Sequence, residues 1–170
     1  MAHFVSAHLN NALHNAEAFH SGQPDLDRWL REHATTAAAK RLAQVFVWHE
    51  PAQPKIIAYY TLSAHLIVAD DLPARLRRGM PDKLPAILLG KFALDRSLHG
   101  QGLGGQLLFD VYQRVLTVAE NAGARFLVAD AIDDAATAFY QHYGFTLLPA
   151  TPHRRVVRKI SDVTADCAPA

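Results

Sequence analysis

A glycine-rich segment in the middle of the chain has the composition of an anion-binding loop. It consists of His99, Gly100, Gln101, Gly102, Leu103, Gly104 and Gly105. Glycines let a backbone turn sharply and approach a ligand, and the first N–H groups of a helix have no partner within that helix. Those groups and the helix dipole attract phosphate. The segment predicts either a phosphate-binding turn or a tight turn whose glycines serve packing alone.

A second segment places a phenol on one face of a short helix. Asp133 is suited to cap this helix and Gly144 to end it. The side chains between them recur at i, i+3, i+4 and i+7, and they are Ala136, Phe139, Tyr140 and Tyr143. A phenol with a pKa of about 10 can protonate a thiolate whose acid has a pKa of about 8.5. The alternative is that the tyrosines only pack the helix against a sheet.

The elements around these two segments predict a mixed α/β fold. Alternating or apolar runs predict strands at Met1–Leu9, Val45–His49, Lys55–Val68, Ala86–Leu94, Phe126–Ile132, Phe145–Leu148 and Arg155–Ile160. A first helix is expected between Gly22 and Gln44, opened by Pro24, with its buried face formed by Leu26, Trp29, Leu30, His33 and Ala37. A second helix follows the glycine segment and ends at Gly123, and Asp70–Pro85 is expected to be an exposed loop. We expect a single domain over residues 1–163 and a flexible tail over 164–170.

Composition excludes several classes of protein. The 170 residues carry a net charge of +1, so the whole molecule is not drawn strongly to nucleic acid. The ten histidines show no metal-ligand spacing, and we expect no metal site. The only cysteine, Cys167, allows no disulfide within the chain, and no apolar run reaches membrane length. These features favour a cytoplasmic protein that does not enter a membrane.

Two motifs resemble those of the GNAT acetyltransferase superfamily. LLGKFALDRSLHGQGLGGQLL is similar to its coenzyme A motif, in which a strand ends at a loop of the form Q/R-x-x-G-x-G/A, with His99 in the first position. AATAFYQHYGF is similar to its second signature, A-x-x-F-Y-x-x-x-G-F. The resemblance implies the GNAT fold, an α/β (α+β) architecture with a central mixed, mostly antiparallel sheet flanked by helices. It also implies acetyl-CoA as the acetyl donor.

The superfamily resemblance implies roles for particular residues. Backbone N–H groups of the strand before the loop hold the thioester, for which Phe92 and Leu94 are the candidates, and Tyr140 protonates the departing thiolate. Tyr143 is the competitor for that role, and the motif spacing favours Tyr140. The implied cofactor-binding set is Phe92, Ala93, Leu94, His99, Gly100, Gln101, Gly102, Leu103, Gly104, Gly105 and Phe139. A general base stays open among Asp95, Asp130 and Asp133.

A narrower resemblance covers most of the chain. FHSGQPDLDRWLREHA, IIAYYTLSAHLI, LPAILLGKFALD and VADAIDDAATAFYQHYGF together are similar to the GNAT toxins of bacterial toxin–antitoxin modules. Its most distinctive residues are Phe19, Gly22, Leu26, Asp27, Trp29 and Leu30. Those toxins acetylate the α-amine of aminoacyl-tRNA and so block translation. They often form homodimers, are neutralised by a ribbon-helix-helix antitoxin, and contact operator DNA only through it.

A tRNA substrate requires positive charge beside the acceptor groove. The candidate tRNA-binding residues are Arg75, Arg77, Arg78, Lys83, Lys91, Arg154 and Arg155. An α-amine with a pKa of about 8 is roughly one-tenth neutral at pH 7, whereas lysine is almost wholly protonated, so a site without an obvious base suits an α-amine. Two alternatives remain: an N-acetyltransferase for small-molecule or protein amines, and a non-catalytic acyl-CoA-binding regulatory module.

Overall fold

The computed structural model describes residues 3–149, 151 and 153–169. The strands are β1 (Val5–His8), β2 (Gln44–His49), β3 (Ile56–Val68), β4 (Lys83–Leu94), β5 (Phe126–Ala131), β6 (Thr146–Leu147) and β7 (Arg154–Lys159). The α-helices are α1 (Pro24–Glu32), α2 (Ala34–Ala39), α3 (Ala74–Arg77), α4 (Leu103–Asn121), α5 (Asp134–His142) and α6 (Ile160–Cys167). This alternation confirms the predicted mixed α/β class.

The strands form one seven-stranded sheet in the order β1-β2-β3-β4-β5-β7-β6. Strand β2 pairs antiparallel with β1 and β3, and β7 pairs antiparallel with β5 and β6. Strands β4 and β5 are parallel, with Leu88 opposite Val128. The sheet is therefore mixed and mostly antiparallel, as the resemblance implies, and β1 lies at its edge.

The chain divides into two compact units. The first contains the residues up to 63 and 90–111, and the second contains 64–89 and the residues from 112 onward. The core of the first unit includes Phe19, Leu30, Ala34, Val45, Val47, Ile56, Tyr59 and Ala93. The core of the second includes Ile67, Leu72, Leu76, Leu84, Phe126, Val128, Leu148 and Val157. Strands β3 and β4 and helix α4 each contribute residues to both units. The single-domain organisation stays a prediction.

The first helical region differs from the expectation of one helix. Pro24 occupies the first turn of α1, as predicted, but the helix ends at Glu32 and α2 begins at Ala34. The residue between them, His33, has φ of −120° and ψ of −24° and is exposed. Its predicted place on the buried face is therefore wrong, and Ala34 takes that place.

The segment expected to be an exposed loop, Asp70–Pro85, contributes to the second core instead. Leu72, Leu76 and Leu84 are each at most 7% exposed. The short helix α3 turns Leu76 inward while its arginines stay outside. The prediction of a loop was wrong because the prolines and charged residues of the segment outnumber its three buried leucines.

The last helix has no counterpart among the elements expected from the sequence. Helix α6 follows β7 directly and buries Ile160 and Val163. The predicted tail boundary at residue 164 therefore falls inside α6, and residues 164–167 are helical rather than irregular. The flexibility of 164–170 stays a prediction.

Candidate active site

The glycine segment forms the predicted turn between a strand and a helix. After β4, a single turn of 3₁₀-helix covers Arg96–Leu98, and α4 begins at Leu103. Gly100 and Gly102 both have φ of +74°, and a Cβ on either would meet no atom within 4 Å. The backbone conformation, rather than lack of space, therefore requires glycine at these two positions. The turn leads directly into the first N–H groups of a long helix, which is an anion-binding arrangement.

Two polar side chains of the turn bond to the turn itself. His99 Nε2 lies 2.8 Å from the carbonyl oxygen of Leu94, and since a carbonyl only accepts, this nitrogen donates. Gln101 Nε2 donates to the carbonyl oxygen of Ser97 at 3.1 Å. His99 thus holds the end of β4 against the loop. Whether it also contacts a pyrophosphate stays a prediction.

In the strand before the loop, a side chain at Gly90 would displace its neighbour. A Cβ on Gly90 would lie 2.8 Å from Oγ1 of Thr61. The same hydroxyl accepts a hydrogen bond from the N–H of Lys91 at 2.9 Å. Lys91 Nζ lies 5.4 Å from the ring centroid of Trp29, within cation–π range. The role of Phe92, Ala93 and Leu94 at the thioester stays a prediction.

Asp95 follows β4 and is buried, with 5% of its surface exposed. Burial opposes its ionisation, but hydrogen bonds from the Ser97 hydroxyl and from the N–H groups of His20 and Ser97 outweigh this and hold the pKa of Asp95 below its ordinary value. The carboxylate is therefore ionised and its oxygens are occupied by donors. Asp95 organises the turn and is poorly suited to act as a general base.

In the second unit, helix α5 carries Tyr140. Asp133 caps the helix as predicted, since its Oδ1 accepts a hydrogen bond from the N–H of Ala136 at 2.7 Å. Gly144, with φ of +88°, ends it. The Tyr140 ring is 5% exposed and packs against the rings of Phe139 and Phe145, with centroids 5.4 and 5.2 Å away. Tyr143, the competing phenol, is only partly buried.

The Tyr140 phenol has a strongly perturbed ionisation. Burial raises the pKa of Tyr140 well above its ordinary value, and the nearby Tyr112 and Asp130 raise it further. The hydroxyl therefore remains protonated throughout the physiological range of pH. An ordinary tyrosine is also protonated at pH 7, so this ionisation is compatible with a general acid but does not by itself identify one.

Asp130 belongs to an ion-paired cluster. Its two oxygens accept hydrogen bonds from Nε and Nη2 of Arg155 at 2.8 and 3.0 Å. Burial opposes ionisation, but the Arg155 guanidinium outweighs it and lowers the pKa of Asp130. Arg155 Nη1 also lies 3.1 Å from Nε2 of His65, which must accept because arginine only donates. Burial and this guanidinium lower the pKa of His65, so its ring is neutral.

Each of the three carboxylates considered as a base already has a hydrogen-bond or ion-pair partner. Asp95 organises the glycine turn, Asp130 pairs with Arg155, and Asp133 caps α5. The described contacts thus do not single out a general base among them.

The candidate tRNA-binding residues differ in how strongly they are engaged. Arg75 donates to the Thr146 hydroxyl at 2.9 Å, and Arg77 lies 4.0 Å from the Asp70 carboxylate. Their side chains are exposed, as are those of Arg78 and Lys83. Arg154 is as exposed as Arg77 and pairs with Asp134 at 3.0 Å, whereas Arg155 is partly buried and held by Asp130. The Arg75–Lys83 group therefore offers more accessible positive charge than Arg155 does.

Arg158 has a role that the sequence does not reveal. Its basic neighbours in sequence are typical of a solvated cluster, yet Arg158 is 9% exposed. Its Nη2 lies 2.6 Å from Oδ2 of Asp166 and its Nη1 donates to the Tyr112 hydroxyl at 3.0 Å. A Cβ on Gly144 would lie 3.2 Å from its Nε. The one available signal is its position directly after Val156 and Val157 in a short strand.

Neither a metal cluster nor a membrane-spanning helix occurs in the part of the chain that the structure describes. Residues 3–149, 151 and 153–169 contain no group of three or more potential metal ligands. Across the same ranges no helix combines the length and apolar character needed to cross a bilayer.

The chain is similar in sequence to two named bacterial toxins. It is 36% identical over 135 residues to the tRNA-acetylating toxin of Mycobacterium tuberculosis, a match that covers 79% of this chain and 80% of that protein. It is 30% identical over 155 residues to the probable toxin TacT of Sinorhizobium fredii, covering 86% of each. No protein-family model matches the chain.

Two solved structures of the toxin AtaT have the same fold. AtaT complexed with acetyl-methionyl-tRNAfMet superposes with a TM-score of 0.90 at 21% identity, covering 98% of this chain and 100% of that one. A tyrosine-to-phenylalanine variant of AtaT bound to the C-terminus of the antitoxin AtaR and acetyl-CoA superposes with a TM-score of 0.82 at 20% identity, covering 97% and 98%. These superpositions confirm the fold that the two sequence motifs imply.

Proposed function

The chain belongs to the family of tRNA-acetylating toxins, and from that membership we propose that it transfers the acetyl group of acetyl-CoA to the α-amine of an aminoacyl-tRNA. An acetylated α-amine can no longer form a peptide bond, so the reaction inhibits translation. The observation that carries the proposal is the 36% identity to a tRNA-acetylating toxin, together with Tyr140 at the tyrosine position of the second sequence signature.

The proposed reaction makes a C–N bond and breaks a C–S bond. The neutral amine attacks the thioester carbonyl, which the N–H groups of Phe92 and Leu94 hold. The attacking amine then loses a proton to solvent water, and Tyr140 donates its proton to the departing thiolate, which leaves as the coenzyme A thiol. Solvent returns a proton to the Tyr140 phenolate. Because roughly one-tenth of an α-amine with a pKa of about 8 is neutral at pH 7, the enzyme needs no strong base to select it. A reaction that needs no strong base agrees with the structure, in which Asp95, Asp130 and Asp133 are engaged by other protein groups.

The glycine turn supplies the cofactor site in this proposal. Its backbone N–H groups and the start of α4 bind the pyrophosphate of acetyl-CoA, as the +74° φ of Gly100 and Gly102 permits. Phe139, half-buried beside Tyr140, completes the proposed set of cofactor-binding residues. AtaT has been solved with acetyl-CoA bound, which supports the same donor here.

The proposed partners follow from family membership. AtaT binds the antitoxin AtaR through the C-terminus of the antitoxin, and we expect a ribbon-helix-helix antitoxin to neutralise this chain. Operator DNA would be contacted only through that antitoxin, and a homodimer is expected. Charged tRNA occurs in the cytoplasm, which is therefore the proposed site of action.

Labelling of bulk charged tRNA tests the proposed function. The purified full-length chain is incubated with labelled acetyl-CoA and aminoacyl-tRNA, with deacylated tRNA as the matched control. We expect label on the aminoacyl group and none on deacylated tRNA. Absence of label from every tRNA, with acetyl-CoA binding intact, would contradict the proposal and leave small-molecule or protein amines as the acceptors.

A further inference from the structure

Two buried carboxylates of the first unit hold the same two-residue turn between them. The turn is His20–Ser21, and the carboxylates belong to Asp27 of α1 and Asp95 at the end of β4, which are 3% and 5% exposed. Asp27 belongs to the distinctive segment near the N-terminus that the proposed reaction does not use. We call the turn and the two carboxylates the carboxylate clamp.

The Asp27 half of the clamp is fully hydrogen-bonded. Its Oδ1 accepts from the Ser21 N–H at 2.9 Å and from the Ser21 hydroxyl at 2.6 Å. Its Oδ2 lies 3.2 Å from Nδ1 of His20, which donates because a carboxylate only accepts. Charge-assisted bonds of this kind are the stronger class of hydrogen bond. Helix α1 is thereby fixed to the turn.

The Asp95 half continues toward the glycine segment. Asp95 Oδ2 accepts from the His20 N–H at 3.0 Å, and Oδ1 accepts from the hydroxyl and N–H of Ser97 at 2.7 and 3.1 Å. The Arg96 N–H donates in return to the carbonyl oxygen of His20 at 2.8 Å. Gln101 then bonds to the Ser97 carbonyl oxygen. A continuous line of hydrogen bonds therefore runs from α1 into the loop.

Gly22 completes this contact on the other side of the turn. Its φ is +92°, and a Cβ there would lie 3.4 Å from Cδ of Arg96. The chain can thus turn from Ser21 into α1 while lying close to the residue that follows Asp95. The conformation favours glycine at this position.

We propose that the carboxylate clamp positions the coenzyme A loop for binding, with Asp27 and Asp95 as positioning residues that act through His20, Ser21 and Ser97. This inference rests on the proposed function for its ligand. An exposed loop with two glycines in the left-handed region loses conformational entropy when it closes on a ligand, and holding it in place beforehand reduces that loss. A carboxylate beside a phosphate-binding turn repels the ligand, so the benefit of Asp95 is structural rather than electrostatic.

Asparagine at position 95 tests the clamp selectively. Whichever way the amide of Asp95→Asn is oriented, its NH₂ group meets the backbone N–H of either His20 or Ser97, and one bond is lost. Ser21→Ala removes a bond to Asp27 at the far end of the clamp, where the Ser21 hydroxyl bonds to Asp27 and to the backbone of Gln23. Asp25→Asn is the matched control, because Asp25 lies on the same helix and is exposed in an ion pair with Arg28.

The measurement is the dissociation constant of coenzyme A for the full-length chain, with KM for acetyl-CoA and kcat beside it. We expect Asp95→Asn to raise the dissociation constant about tenfold and Ser21→Ala about threefold, from loss of charge-assisted bonds. The kcat at saturating acetyl-CoA should stay within about twofold, because the clamp acts on binding. Asp25→Asn should behave as the wild type.

An unchanged dissociation constant in both folded variants would overturn the clamp, as would a fall in kcat with no change in binding. A raised dissociation constant in Asp95→Asn alone, with that of Ser21→Ala unchanged, would overturn the positioning role of Asp27. If Asp95→Asn does not fold, Ser21→Ala decides the outcome alone. Because coenzyme A binding needs no tRNA, failure of the clamp is distinguishable from failure of the proposed acceptor.

Discussion

Individual residues divide into those whose roles are local in sequence and those whose roles depend on distant partners. Asp133 and Gly144 bound α5 as the sequence predicts, because a cap bonds within three residues and a positive φ belongs to one residue. Asp95 instead accepts from the N–H of His20, 75 residues earlier. No sequence pattern encodes that pairing, so the sequence presents Asp95 only as one of several candidate bases.

The buried carboxylates make the stability of the fold sensitive to acid. Burial opposes ionisation of Asp27, but the Ser21 hydroxyl and N–H and the His20 ring outweigh it and lower the pKa of Asp27 below its ordinary 3.8. The pKa of Asp95 is also lowered from 3.8. A lowered pKa in the folded state stabilises the fold above the unfolded-state value, and this stabilisation is lost as pH falls through the folded-state value.

We therefore expect the free energy of unfolding of the wild type to fall as pH drops below about 4. The fall should be smaller in Asp95→Asn, which has one fewer carboxylate to protonate. Urea unfolding between about pH 5 and pH 2.5 measures this, with Asp25→Asn as the control that should parallel the wild type. Equal acid sensitivity in Asp95→Asn and wild type would contradict the stabilising role of that carboxylate.

At the scale of secondary structure, a buried guanidinium contacts α6 in addition to the apolar packing of Ile160 and Val163. Arg158 of β7 contacts Asp166 of α6 and Tyr112 of α4, and its Nε has no hydrogen-bond partner among the described residues. Removing the Asp166 carboxylate would leave a buried positive charge with one fewer partner. Such losses are costly even where the complete pair contributes little.

Asp166→Asn should therefore lower the free energy of unfolding by about 1–3 kcal/mol, as expected when a buried charged group loses a partner. Asp162→Asn, on the exposed first turn of α6, should change it by about 0.5 kcal/mol or less. Urea-induced unfolding of both variants at pH 7 makes the comparison. Equal effects would show that α6 does not depend on the Asp166–Arg158 pair.

Strongly patterned elements are predictable from the sequence, and short ones are not. The apolar run of β4, the glycine turn and the long α4 each have a strong local signal, and the structure confirms all three. Helix α6 has only eight residues and follows β7 without a break. From the sequence, its first residue is therefore assigned to the preceding strand and its last residues to an irregular tail. The break between α1 and α2 at His33 has no proline or glycine to mark it.

Over the whole molecule, charge is balanced but unevenly distributed. The net charge is +1, yet Arg75, Arg77 and Arg78 lie together on and just after α3 with exposed side chains. Because phosphate neutralisation dominates nucleic-acid affinity, this group is the stronger candidate for binding tRNA. Arg155 is the weaker candidate for binding tRNA because its guanidinium is paired with Asp130.

Replacing Arg75, Arg77 and Arg78 together by alanine should raise KM for charged tRNA while leaving acetyl-CoA binding unchanged. The salt dependence of tRNA affinity should also decrease, by about 0.7–0.9 in the logarithmic slope for each phosphate that the variant no longer neutralises. The control is Arg28→Ala, which removes an exposed arginine from α1. Unchanged KM and salt dependence in the triple variant would remove this cluster from the tRNA-binding surface.

Acetyl transfer to charged tRNA depends, in this mechanism, on protonation of the departing thiolate by Tyr140. The most direct test compares kcat for Tyr140→Phe and Tyr143→Phe on charged tRNA, with coenzyme A affinity measured in parallel. We predict that Tyr140→Phe lowers kcat by about 10²–10⁴-fold, the usual contribution of a general acid, with coenzyme A affinity preserved. Tyr143→Phe should retain nearly full activity. Wild-type kcat in folded Tyr140→Phe, or a loss confined to Tyr143→Phe, would contradict the account.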